Sequence, residues 1–182
     1  MKDASIAYFK SQNPSITNAT LIDMGAQAAY ENGVRLFMES TLKKAIALRP
    51  YAKWGYYGYP SCARDLATGY FCDEKQQRLN EQKNWIFVNS LGLYPNLYLN
   101  SQILPDPDLR AIYILKRMNE AMRMSRFVIA NNMPIYPYIR YQYEQQPIPS
   151  YLSQVDMENS IGQAIDTGLS GIVHNNYLFI DF

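Results

Sequence analysis

The sequence predicts an α/β fold, about four βα units of a parallel, TIM-like (β/α) barrel held in one incomplete domain over residues 1–182. Three observations carry this. After one leading helix, strands and helices alternate along the chain. Strand starts near residues 53, 94, 135 and 170 are 41, 41 and 35 positions apart, the repeat expected of a strand, a helix and a return in a parallel sheet. No GxGxxG or GxxxxGK[ST] loop occurs, although the rival doubly wound sheet often carries one. A complete eight-stranded barrel needs about 250 residues, so 182 residues predict roughly half of one.

The elements follow in order. Residues 21–48 read as an amphipathic helix, with Val34, Phe37, Met38, Thr41, Leu42 and Ala45 on one stripe and Arg49-Pro50 as its stop. A short aromatic strand runs from Lys53 to Tyr59 and ends at Pro60; a loop with both cysteines and Gly69 follows. Asp73 is an N-cap residue by type and opens a polar helix to Val88. Tyr94 to Leu99 is the second strand. Asp106-Pro107, a cap followed by proline at the first helical position, opens a helix to about Ile129. Its expected buried stripe is Ile112, Leu115, Met118, Met122 and Ile129. Ile135 to Tyr143 is the third strand, which Pro137 marks as an edge or a bulge. Ser153-x-x-Asp156 starts a fourth helix, Gly168 ends it, and Ser170 to Val173 is the last strand.

Composition narrows the function. Hydrophobic residues make up 48% and charged residues 18%, which excludes a disordered polar tail. Seventeen Lys+Arg against sixteen Asp+Glu leave a net charge of +1, without the basic excess of a dedicated nucleic-acid binder. Apolar runs such as Phe127 to Ala130 fall far short of a bilayer span. The unusual count is 16 tyrosines. A tyrosine ring offers a flat apolar face and a polar tip, which suits a wet, sugar-like ligand as well as a core edge. No metal-ligand spacing occurs, and no cofactor or metal is expected.

Cys62 and Cys72, the two cysteines of the chain, lie ten positions apart in one loop. They admit two readings, a local disulfide in an oxidising compartment or two unpaired cytosolic thiols. Met1 to Lys10 contains no apolar segment long enough for a secretory signal. The expectation is therefore an intracellular protein or a chain whose true beginning is missing. Asn18-Ala19-Thr20 is a glycosylation sequon, a triplet that also arises by chance.

The stretch Leu48-Arg-Pro-Tyr-Ala-Lys-Trp-Gly-Tyr-Tyr-Gly-Tyr-Pro-Ser-Cys62 closely resembles the "LRP…WGYY.YP.C" segment of hyaluronidases, glycoside hydrolase family 56, including the insect venom enzymes. The resemblance keeps register. Phe37-Met-Glu-Ser-Thr-Leu42 is similar to "FMEETL", Leu93-Tyr-Pro-Asn-Leu-Tyr-Leu99 to "LYPSIYL", Lys116-Arg-Met-Asn-Glu-Ala121 to "RVxEA" and Gly168-Leu-Ser-Gly-Ile-Val173 to "GASGIV". Ser5-Ile6 to Asn13-Pro14 fits the segment that follows the family's catalytic motif. The match implies a middle-to-late part of the family's barrel, a Cys62–Cys72 disulfide and secretion of the complete protein. Such a short cross-link restricts the unfolded chain by about 2–3 kcal/mol in the entropy model.

The resemblance implies hydrolysis of hyaluronan, or a related glycosaminoglycan, with retention and by a substrate-assisted route. A Glu protonates the leaving oxygen, while the substrate's own N-acetyl carbonyl attacks C1. The family's acid and its neighbouring Asp lie in a "D-x-E-x-W-R-P" motif, which does not occur in this chain. Asp156-Met157-Glu158 is its one Asp-x-Glu triplet, and it falls in the first turn of a predicted helix, where acidic residues favour the positive end of the dipole. No catalytic residue is expected here. Tyr57 and Tyr98 match family tyrosines that contact the sugar and position the N-acetyl group; Tyr143 and Glu144 are further candidates for the cleft. Asn175 stands where the family carries a Trp, and His174, the single histidine, has no partner cluster in the sequence. Three expectations follow: a hyaluronidase-type hydrolase inactive as this chain alone, a non-catalytic glycan binder, or a truncated gene product.

Overall fold

The structure, a computed structural model, describes residues 2–62, 72–128, 132–144 and 150–175. Its contacts divide the chain into two compact units, residues 1–51 and 52–182.

The first unit is a pair of helices. α1 (Lys2–Gln12) was not expected, although no glycine or proline interrupts the chain before Pro14. α2 (Ala19–Leu48) starts two residues before its expected position because Asn18 caps it. The Asn18 Oδ1 accepts from the amides of Thr20 (2.9 Å) and Leu21 (3.1 Å), two donors that helix geometry leaves unpaired. Of the predicted stripe only Leu42 is buried, joined by Ile22 and Ala26, whereas Phe37 is 73% exposed.

In the second unit, α3 (Glu74–Gln82) begins at the expected Asp73 cap, whose side chain accepts from Gln76 N at 2.8 Å. The polar helix expected to reach Val88 breaks at Lys83, and α4 (Asn84–Phe87) follows. The apolar residues bunch at consecutive positions, and the break lets both Ile86 and Phe87 be buried. α5 (Pro107–Val128) opens at Asp106, which accepts from Asp108 N at 2.9 Å. Its buried face is offset from the expected stripe. Tyr113, Ile114, Met118, Ala121 and Met124 are buried, while Ile112 and Leu115 are exposed and Ile129 lies outside the described residues. An apolar-only count misplaced the face because Arg110, Arg117 and Glu120 share it. α6 (Gln154–Asp166) has the expected Ser153 cap, and Gly168 adopts φ +83° just past its end, the left-handed geometry that glycine permits without a steric cost.

The strand segments are shorter than expected. Among the described residues two qualify as strands, β1 (Tyr138–Ile139) and β2 (Val173–His174), paired in parallel with Tyr138 opposite Val173. Parallel bridges extend the ladder from Tyr57 to Tyr94, from Leu93 to Ile135 and from Asn96 to Tyr138. Four segments near residues 57, 94, 136 and 173 therefore lie side by side in chain order, as alternating βα units require. Proline explains their brevity. Pro95 and Pro137 sit inside segments and cannot donate, yet their carbonyls accept from Tyr138 N and Val173 N, each at 2.9 Å. Pro137 is thus not at an edge. The Tyr136 and Tyr138 amides bond back to Leu93 and Pro95, while the carbonyls of Ile135, Pro137 and Ile139 accept from Ser170, Val173 and Asn175.

One face of this ladder forms the core. Leu93, Leu97, Leu99, Ile135 and Ile139 pack with the buried side chains of α5 and with Ala164 of α6. A buried ion pair ties the two helices. Arg110 Nε lies 2.9 Å from both carboxylate oxygens of Asp156, and its Nη1 donates to the carbonyls of Leu104 and Pro105 at 2.8 Å. Tyr143 and Ser153 also donate to Asp156. Burial pushes the Asp156 carboxyl up, but the hydrogen bonds from Arg110, Tyr143 and Ser153 outweigh it and hold it below the usual range.

Removing one partner of a buried pair leaves the other charge uncompensated. Asp156→Ala should therefore cost about 3–5 kcal/mol in denaturant unfolding. The depressed carboxyl also sets an acid limb. Its stabilising contribution is complete above the unfolded-chain value of about 3.9 and disappears as pH falls through the lower folded value. Wild-type stability should fall in that window, and the fall should be smaller in Asp156→Ala.

Candidate functional site

Alternation builds the site from the face of the ladder opposite the core. In Leu93-Tyr-Pro-Asn-Leu-Tyr-Leu99 the leucines enter the core, so Tyr94, Asn96 and Tyr98 point the other way. In Ile135-Tyr-Pro-Tyr-Ile-Arg140 the isoleucines do the same, and Tyr136, Tyr138 and Arg140 share the tyrosine face. Ring contacts agree: Tyr94 stacks on Tyr136 at 5.7 Å, Tyr57 meets Tyr138 edge-on at 4.8 Å, and Tyr57 lies 6.1 Å from Tyr98. Gly55 admits the neighbouring segment, because a Cβ there would come 2.5 Å from the Gly92 carbonyl.

Two asparagines hold the hydroxyls of the predicted pair. Asn96 Nδ2 donates to the Tyr57 hydroxyl at 2.6 Å, and Asn175 Nδ2 donates to that of Tyr98 at 2.7 Å. Asn96 Oδ1 in turn accepts from Tyr98 N at 2.6 Å. The Arg140 guanidinium covers the Tyr98 ring, 4.2 Å from its centroid. Tyr57 is 47% exposed, whereas Tyr98 is 2% exposed, so Tyr57 presents the surface and Tyr98 backs it. Desolvation, then the neighbouring Tyr98 hydroxyl and the Glu144 charge, push the Tyr57 phenol well above its ordinary range, with Arg140 opposing them. Burial beside Tyr136 and Tyr138 pushes Tyr94 up to about 12.

Three of the four predicted binding residues come together. Glu144 is half-buried near Tyr57, and its backbone amide donates to Leu99 O at 2.6 Å. Tyr143 is the exception. It belongs to the apolar core, where its hydroxyl donates to Asp156 and accepts from Ser153 N at 3.2 Å, so alternation turns it away from the cluster. The Asp156–Glu158 triplet is not an acid pair facing a ligand, since Asp156 is fully buried in its ion pair. His174 stacks on Tyr141 at 5.0 Å, and Tyr141 on Tyr151 at 5.7 Å. Among the described residues, no three His, Cys, Asp or Glu side chains could hold a metal, and no helix is long and apolar enough to cross a membrane.

Sequence reasoning missed Asn96, Arg140 and the use of Asn175. The first two were legible in the period-two alternation that places them beside tyrosines. Asn175 read only as a departure from the family pattern. Arg117 is a further support: it donates to the carbonyls of Asn96 and, at 3.0 Å, of Cys62, bracing the Tyr57 and Tyr98 segments together. Cys62 and Cys72 form the expected disulfide, and both are buried.

Comparison with known proteins supplies the family. The family model described as hyaluronidase matches residues 1–178. Hyaluronidase PH-20 of Cavia porcellus is 32% identical over 178 residues, covering 94% of this chain and 33% of that protein. Hyaluronidase B of Vespa velutina is 31% identical over 174 residues, covering 94% and 51%. The crystal structure of bee venom hyaluronidase superposes with a TM-score of 0.82 at 28% identity, over 95% of this chain and 55% of that one, and so does its complex with a hyaluronic acid tetramer, over 53% of that chain. The chain spans between a third and about half the length of these curated relatives. With a match over nearly every residue, the chain belongs to the hyaluronidase family of glycoside hydrolases.

Proposed function

We propose that this chain is part of a hyaluronidase-type glycoside hydrolase and supplies one wall of its sugar-binding cleft, for hyaluronan or a related glycosaminoglycan. The single observation that carries this reading is the tyrosine face, in which half-exposed Tyr57 is held by Asn96 and backed by Tyr98 under Arg140. A ring edge and face for sugar C–H groups, hydroxyls for polar sugar groups, and a cation for an anionic polymer are the chemistry such a glycan requires. Glu144 stands beside the pair as a polar contact; Tyr143 supports the wall from the core.

On this reading the four parallel segments are four βα units of a TIM-like barrel, and residues 1–182 belong to one such domain. The resemblance favours an extracellular protein, in line with the Cys62–Cys72 disulfide, and Asn18, exposed at the start of α2, is a glycosylation acceptor. Chemistry on the glycosidic bond needs a general acid worth about 10²–10⁴-fold. The chain's one Asp-x-Glu triplet has its Asp locked to Arg110. The 182-residue chain therefore binds without cleaving.

Calorimetric titration of the 182-residue chain with hyaluronan oligosaccharides should detect binding without release of reducing ends. Tyr57→Ala should weaken binding about tenfold, the loss expected when a stacked ring and its hydroxyl are removed. Absence of binding, or turnover that survives repurification, would overturn the reading. Because Tyr57 titrates high, wild-type affinity should stay flat through pH of about 10, where an ordinary tyrosine ionises. A fall centred there would show that the contact depends on a different group.

A further inference from the structure

We infer that Arg140 is the specificity-determining residue of the tyrosine face, its guanidinium receiving the carboxylate of a uronic acid unit that lies beside Tyr57; this rests on the glycan reading above. The family resemblance implies that Tyr98 positions the substrate's N-acetyl group. In the structure, however, Tyr98 is 2% exposed, so its side chain offers a ligand almost no surface. Its hydroxyl accepts from Asn175 Nδ2 at 2.7 Å, and the Arg140 guanidinium covers its ring at 4.2 Å from the centroid. Arg140 is half-buried and keeps the exposure that Tyr98 lacks. Alternation carries it to this face two residues after Tyr138, whose ring meets that of Tyr57 at 4.8 Å. The Tyr57 ring also lies 6.1 Å from that of Tyr98. Tyr57 and Arg140 thus neighbour one buried ring, and a glycan on this surface meets them instead of Tyr98.

The chemistry of the two exposed groups differs. A phenol treats charged and neutral sugar oxygens much alike, whereas a cation favours the charged one. A guanidinium over a ring is held there by the ring's electron-rich face. Its five N–H donors share one plane, a fork that matches the two oxygens of a carboxylate. Holding the fork in place before the ligand arrives reduces the ordering that binding must impose. Hyaluronan alternates a uronic acid with a neutral N-acetylated sugar. Glu144 adds negative charge near Tyr57, which leaves that end to the neutral sugar and the Arg140 end to the acid.

Carboxyl reduction isolates the contact, because it turns each uronic acid into a neutral sugar of nearly the same shape. A hyaluronan hexasaccharide and its carboxyl-reduced form should be titrated into the wild-type chain and two variants. The wild type should prefer the acidic form by about tenfold or more, the worth of one charge-assisted hydrogen-bonded pair. Arg140→Gln should abolish that preference. Arg140→Met should abolish it too, while its unbranched stem and sulfur still pack on the Tyr98 ring. A merely structural role for Arg140 predicts equal losses for the two oligosaccharides, which would leave the preference untouched. Thermal unfolding of each variant reports folding separately. No preference in the wild type, or a preference that survives in a folded variant, would overturn the inference while leaving glycan binding intact. Binding of neither oligosaccharide by the wild type would instead remove the glycan reading and the inference with it.

Discussion

Strand residues alternate between two faces, and everything in the second unit depends on that alternation holding through four short, proline-interrupted segments. A shift of one residue in the 93–99 segment would turn Tyr94, Asn96 and Tyr98 toward the apolar core and its three leucines toward the opposite face. The core prevents the slip, because Leu93, Leu97 and Leu99 are almost wholly removed from water. The same constraint that packs the core against α5 and α6 therefore delivers the tyrosines, Asn96 and Arg140 to one surface. Pro95 and Pro137 weaken the ladder by a donor each, but their carbonyls still pair, so the register survives where regular strands do not.

Behind that surface, buried polar groups do the locating. Arg117 joins the carbonyl of Asn96 to that of Cys62, which links the second segment to the disulfide loop that follows the first. Asn80, fully buried, donates to Ser61 O at 2.9 Å and to Glu120 at 2.7 Å, and Glu120 accepts from Arg123 at 2.7 Å. A buried polar group that loses its partner costs far more than the bond is worth when made. Such networks therefore penalise displacement more steeply than apolar packing, which tolerates sliding. The resemblance at Lys116 to Ala121 acquires a physical meaning: its Arg117 and Glu120 are buried braces behind the tyrosine face.

Much of this was legible in the sequence. The caps at Asp73, Asp106 and Ser153 and the stop at Gly168 were readable because each depends on local chemistry alone. The parallel order was readable from spacing. The stripes were not. On α5, buried Arg110, Arg117 and Glu120 find partners up to 55 residues away, and hydrophobic periodicity cannot anticipate them. The placement of Tyr143 was hidden for a related reason. Its neighbour Glu144 joins the site, but alternation at the end of the third segment sends Tyr143 toward Asp156, a contact invisible until α6 is in place. Residues 145–149 and 176–182, the whole of the ending after Asn175 among them, lie outside the described part.

The cluster's chemistry also limits the steps that its side chains can serve. Phenols, amides and a guanidinium exchange hydrogen bonds and polarise neighbours, but near neutral pH they are poor proton donors to a departing sugar oxygen. Raising Tyr57 further makes it a worse acid and a more constant hydrogen-bonding group. Such a surface can hold a sugar in one orientation over a wide pH range, which is where orientation contributes most to catalysis. Proton transfer to a leaving group would need an acid of a different kind from the groups in this cluster. The division is physically sensible: an acid must change charge during turnover, whereas the groups that aim the substrate at it work best when their own charge never changes.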